Sequence, residues 1–228
     1  MQFKSSREAQ DTLGEHTLFG KIQVYTLEPL PDNVSLSTVL TAIEKKVPEV
    51  FFHNVDSIYI GHFKEFEEND TNAFYSDGGL FISNNQTDNA DLIDDIIHET
   101  AHAVEEEYKG FIYDDQLEVE FVGKRKRLFD RLTSGRSGTY YKLDLDLKKE
   151  DFFRLEYDED FDKLLYQDLG YSFLYNLTYD LFVSPYGATS LQEYWANGFE
   201  NYFIGDPEDV RKISPVLYNK ISTLATEL

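Results

Sequence analysis

The feature that most restricts what this chain can become is the run Asp91-Leu-Ile-Asp-Asp-Ile-Ile-His-Glu-Thr-Ala-His-Ala-Val-Glu-Glu-Glu-Tyr-Lys-Gly110. Ile93, Ile97, Ala101, Val104 and Tyr108 recur in it at helical spacing, which predicts an amphipathic helix with one side against a core. Asn89 or Asp91 is expected to cap its start, and Gly110 stands where a left-handed residue would close it. His98 and His102 lie beside that stripe, four residues apart, so on a helix their imidazoles sit one turn above each other. Two rings so placed can bind one ion, while Glu99 between them points at the solvent ligand of that ion.

The chain has 228 residues, enough for one large domain or two lobes, and no cysteine, which excludes disulfide staples and thiolate ligands. Its first ten residues are polar and lack the apolar region of a secretory signal, and no apolar run approaches membrane-spanning length. The expected location is cytoplasmic, or packaged within a larger assembly. A formal net charge of −22 repels nucleic acid and anionic lipid and favours a basic protein or peptide as partner.

Residues 1–20 read as a polar lead-in. Residues 21–27 largely alternate and predict a strand; Ser35 or Ser37 then caps a helix carrying Val39, Leu40, Ile43 and Val47, stopped by Pro48. Residues 55–63 and 79–83 predict two more strands, separated by an acidic turn at 64–71, with 73–75 pairing as a hairpin around Asp77-Gly78. Strand, helix, strands and a long helix imply an α+β fold, a small twisted mixed sheet packed on helices. Residues 111–184 are rich in charge and aromatics. Lys124-Arg-Lys-Arg127 is expected to be a solvated face balancing nearby acid, a docking patch being the alternative. Residues 161–169 and 171–182 predict helices.

Two imidazoles need a third protein ligand to hold catalytic zinc. No histidine follows His102, so that ligand should be a carboxylate on a later helix. In residues 184–203, Leu191, Trp195, Gly198 and Tyr202 form an apolar stripe, while Glu193, Asn197 and Glu200 recur along another face. Ala196 and Gly198 allow close approach to a neighbour. Glu193 and Glu200 are both candidates, and Glu193 has a competing role in a capping box with Ser190.

His98-Glu99-Thr-Ala-His102, then Tyr186-Gly and Glu193 seven residues after the tyrosine, resembles the peptidase domain of the anthrax lethal factor family. That group includes the secreted Pro-Pro endopeptidases and belongs to the gluzincin (HExxH) zinc metallopeptidases. The resemblance covers residues 55–110 and 184–205. It implies a zincin-like fold with a mainly helical C-terminal lobe. It also implies one zinc on His98, His102 and Glu193, with Glu99 as general base and Tyr186 contacting the reacting centre. Two departures stand out: Asn197 occupies a position where the family usually has Glu, and the separation of His102 from Glu193 exceeds the family's usual gap. A single catalytic domain is therefore expected, with a 1–110 lobe, an insertion at 111–184, and a helical lobe at 185–228 carrying the third ligand.

The function so implied is zinc-dependent endopeptidase action on a protein or peptide. Asp94, Asp95 or Glu106 would accept the second ring N–H of a histidine, and the substrate would pair along the strand at 79–83. The alternatives are a catalytically silent zincin-fold binding or assembly protein, and an acidic interaction protein with a chance motif.

Overall fold

The computed structural model describes residues 16–69, 71–133 and 147–228. The chain divides into two compact units, Met1–Glu107 and Tyr108–Leu228. The architecture is α+β, a small mixed five-stranded sheet with a mostly helical remainder.

The first unit contains β1 (His16–Leu18), β2 (Ile22–Thr26), α1 (Leu36–Lys46), β3 (Ser57–Gly61), α2 (Lys64–Asn69), β4 (Ala73–Ser76) and β5 (Gly79–Ser83). Most of α3 (Asn89–Ile112) also belongs to it. The strand order is β1-β2-β3-β5-β4; the inner pairs are parallel and the two outer pairs antiparallel. One rung of the sheet is aromatic. Tyr25, Tyr59, Phe81 and Phe74 stand opposite one another on four strands, with stacked rings 5.2, 5.1 and 4.7 Å apart. Such cross-strand pairs pin register, because a slip of one residue would exchange the two faces. Val24, Ile58, Leu80 and Ile82 occupy the other face and are buried, as are Val39, Leu40 and Ile43 of α1 and Leu92, Ile96 and Ile97 of α3.

Several sequence expectations change here. β5 is interior, with β3 on one side and β4 on the other, so the strand at 79–83 cannot receive a substrate chain. The tight turn at Asp77 and Gly78, both with positive φ, folds β4 back along it and makes β4 one border of the sheet, β1 being the other. Residues 16–18 form a strand, with Phe19 and Gly20 turning out of it, and residues 1–15 of the expected lead-in lie outside the described residues. The acidic segment after β3 is helical over Lys64–Asn69; Phe66 is buried and meets Phe63 and Phe74 edge-on.

The second unit contains the end of α3, then α4 (Asp115–Thr133), α5 (Glu159–Lys163), a π-helical turn (Leu164–Leu169) and α6 (Tyr171–Thr178). It ends with α7 (Leu191–Ile204), α8 (Pro207–Ile213) and α9 (Pro215–Glu227). Residues from 111–184 pack with those of 185–228 inside this unit, through Lys124, Arg125 and Glu120 of α4. Lys124 and Arg125 are each only 1% exposed, so the basic run is neither a solvated face nor a patch across its whole length. Lys124 donates to the oxygens of Leu181, Ile213 and Ser214, and Arg125 to the carbonyls of Asp151, Arg154 and Thr189. Helical periodicity turns two of the four cations inward, where chain ends offer unpaired carbonyls. Glu120 accepts from Tyr194 and from the backbone N–H groups of Val216 and Leu217, closing the start of α9. A Cβ on Gly198 would fall 2.2 Å from Leu217, which is the close helix approach that the small residues of α7 foretell. Among the described residues, no helix is long and apolar enough to cross a membrane.

Candidate metal centre

α3 starts one residue earlier and ends later than its sequence suggests. Asp88 provides the cap, its carboxylate accepting from Ala90 and Asp91 N–H at 2.8 and 3.1 Å. Asn89 accepts from Ser35 N–H, and Asp91 accepts from Thr87. Gly110 does not terminate the helix, which runs on to Ile112. Asp114 then opens α4 by accepting from Gln116 and Leu117.

On this helix the expected trio comes together. Ligand atoms of His98, Glu99 and His102 all lie within 4.8 Å of one another, Glu99 buried and both histidines half-buried. The two rings are 5.1 Å apart and inclined at 70°. Ile97, Ala101 and Val104 are fully buried, so the core side of the helix sets which way the histidine side points. His102 Nδ1 is 3.0 Å from the Glu105 carboxylate, itself buried. That contact orients the ring, so that Nε2 would be the nitrogen offered to an ion.

Glu105 is the acceptor that sequence reasoning missed. Three consecutive glutamates follow His102, and only helical register selects the one three residues on. Glu106 instead accepts from the Tyr75 hydroxyl of β4 at 2.7 Å, and Glu107 meets His53. Asn54 Nδ2 donates to the Ala103 carbonyl at 3.2 Å. The segment before β3 and the strand β4 thus grip α3 directly after His102. Asp94 is exposed. Asp95 accepts from Gln86 Nε2 at 2.9 Å; burial pushes its carboxyl up to about 6, the charge of Glu99 adding to the shift and that of His98 opposing it.

Tyr186 and Glu193 belong to the second unit, on adjoining elements. Tyr186 is in the short 3-10 helix Pro185–Ala188, begun by Ser184, which accepts its N–H. Glu193 is in the first turn of α7, where Ser190 accepts its N–H at 3.1 Å. Gly187 brings the two elements close: a Cβ there would meet Asn197 Cβ and the Glu193 carbonyl. Asn197 is buried and donates from its side chain to that same carbonyl at 2.9 Å, so it supports the turn bearing Glu193 through the backbone. Glu200 lies two turns along α7, half-buried. Tyr157 was not anticipated. Burial, its donation to Asp162 and the charges of Asp162, Glu159 and Glu193 together raise its phenol, so it stands within electrostatic reach of the Glu193 carboxylate.

The donor chemistry of the α3 cluster fits a divalent ion that prefers imidazole and carboxylate ligands, zinc foremost. No family model matches the chain, and no curated protein or solved structure was found to match it.

Proposed function

We propose that the chain is a zinc-dependent metalloendopeptidase. The observation that carries this reading is the convergence of the His98, Glu99 and His102 donor atoms on one half-buried helix face, with His102 held by Glu105. His98 and His102 would hold the ion, with Glu193 as third ligand and Glu200 as its rival. Bound zinc supplies Lewis acidity, acidifying water and polarising a peptide carbonyl. The Glu99 carboxylate takes a proton from the attacking water and passes it to the departing amine nitrogen as the C–N bond breaks. The Tyr186 hydroxyl donates a hydrogen bond to the carbonyl oxygen as charge grows there. The peptide lies against β4, a border strand, rather than against β5. The negative field favours basic peptides, and zincin-like architecture is part of the proposal.

Metal analysis of the purified full chain tests it. The expected result is about one zinc per chain, lost in His98→Ala and His102→Ala and weakened in Glu193→Ala but not in Glu200→Ala. A chain that stays metal-free after reconstitution, or that keeps its zinc without both histidines, overturns the reading. Zinc binding without cleavage of any member of a broad peptide library would instead favour the silent binding protein.

A further inference from the structure

The first unit also holds a surface cavity of about 690 Å³ that includes none of the metal-capable trio. That volume is typical of a small-molecule pocket. Its apolar lining is formed by Phe19, Ile22, Val50, Phe52 and Val55. Lys21, Glu49, His53 and Asp56 line the rest.

The wall is held in place against backbone preference. Phe19 has φ +52, a left-handed conformation that a bulky residue adopts only when its surroundings hold it there. Glu44 fixes it there by accepting its N–H at 2.7 Å, and the ring lies 5.3 Å from that of Phe52. The charged groups are unevenly matched. Lys21 is paired with Glu49. His53 is held with Nδ1 at 2.9 Å from the Val50 carbonyl and Nε2 on Glu107. Asp56 has no cation against it among the described residues.

We propose that this cavity binds an organic cation with an apolar body. An ammonium or guanidinium group meets the Asp56 carboxylate, and the hydrocarbon or aromatic part lies against Phe19, Val50 and Val55. Removing that apolar surface from water drives binding, and the carboxylate selects the sign of the charge. The proposal does not depend on the metal reading, because no residue is shared.

The test is a titration of the full chain, in chelator-treated buffer, with 2-phenylethylammonium and with 3-phenylpropionate, followed by amide chemical shifts. A capped peptide carrying one arginine, run alongside, distinguishes a free amine from a basic side chain as the source of the cation. The expected result is saturable binding of a cation with shifts confined to residues around Phe19, Val50 and Asp56, and no binding of the anion. Phe19→Ala should weaken binding about tenfold and Asp56→Asn about fivefold, while His98→Ala leaves it unchanged. Equal binding of the anion, shifts located elsewhere, or full affinity in Asp56→Asn would overturn the proposal. So would the absence of binding by both cationic probes.

Discussion

The two units treat buried charge in opposite ways. In the first, Glu99, Asp95 and Glu105 are drawn in along α3, with a side-chain ring nitrogen on Glu105 and a glutamine amide on Asp95. In the second, Lys124 and Arg125 are drawn in along α4, and five of their six acceptors are backbone carbonyls. Carbonyls at helix ends and straps must be satisfied wherever water is excluded. A cation that meets them is joinery. The acids and imidazoles of α3 instead bring donor atoms together on one helix face, the donor set that the proposed metal ion would use. A run of charge in a sequence therefore says little about role until its acceptors are known.

The sharpest way to break this comparison is Glu99→Gln. If Glu99 moves the proton, turnover of a cleavable peptide falls about 10³-fold with zinc still bound; turnover that stays near wild type with zinc bound would make Glu99 a structural acid instead. Lys124→Met addresses the other side. It leaves the Leu181 and Ile213 carbonyls without their donor, and urea denaturation should show a loss of about 3 kcal/mol. Lys126→Met, at an exposed neighbour, should stay within about 0.5 kcal/mol.

pH dependence separates the two kinds of burial by sign. The Asp95 carboxyl is raised from 3.8 to about 6, so between those values the folded, metal-free chain holds a proton that the unfolded chain has lost. Stability then falls as pH rises through that window, by about 2 kcal/mol, and Asp95→Asn removes the slope. Burial lowers the Lys124 ammonium from 10.5 to about 8, so there the unfolded chain holds the extra proton and stability rises with pH across that interval. Lys124→Met flattens it. Glu105→Ala removes the carboxylate that holds His102 Nδ1 and should weaken zinc about tenfold by competition with a fluorescent chelator.

Much of the first unit was legible in the sequence. The strand at 79–83, the hairpin at Asp77-Gly78, the cap at Ser35 and the burial of Ile97, Ala101 and Val104 follow from alternation, turn chemistry and helical spacing, all of them short-range. The pairing of His98 with His102 is short-range too. The order of strands is not: nothing local tells 79–83 that two neighbours will flank it. The choice of Glu105 over Glu106 and Glu107 needs the helix register together with the positions of Tyr75 and His53, which come from distant sequence. The inward turn of Lys124 and Arg125 depends on carbonyls contributed by Asp151, Leu181 and Ile213.

The sequence by itself determined an α+β chain with a helix that stacks two imidazoles around a glutamate, because a four-residue spacing and an apolar stripe act within one helix. Tertiary structure alone decided which strand borders the sheet, which glutamate holds His102, and which cations are swallowed. Those outcomes depend on hydrogen-bond partners that meet only when segments far apart in the chain are packed together.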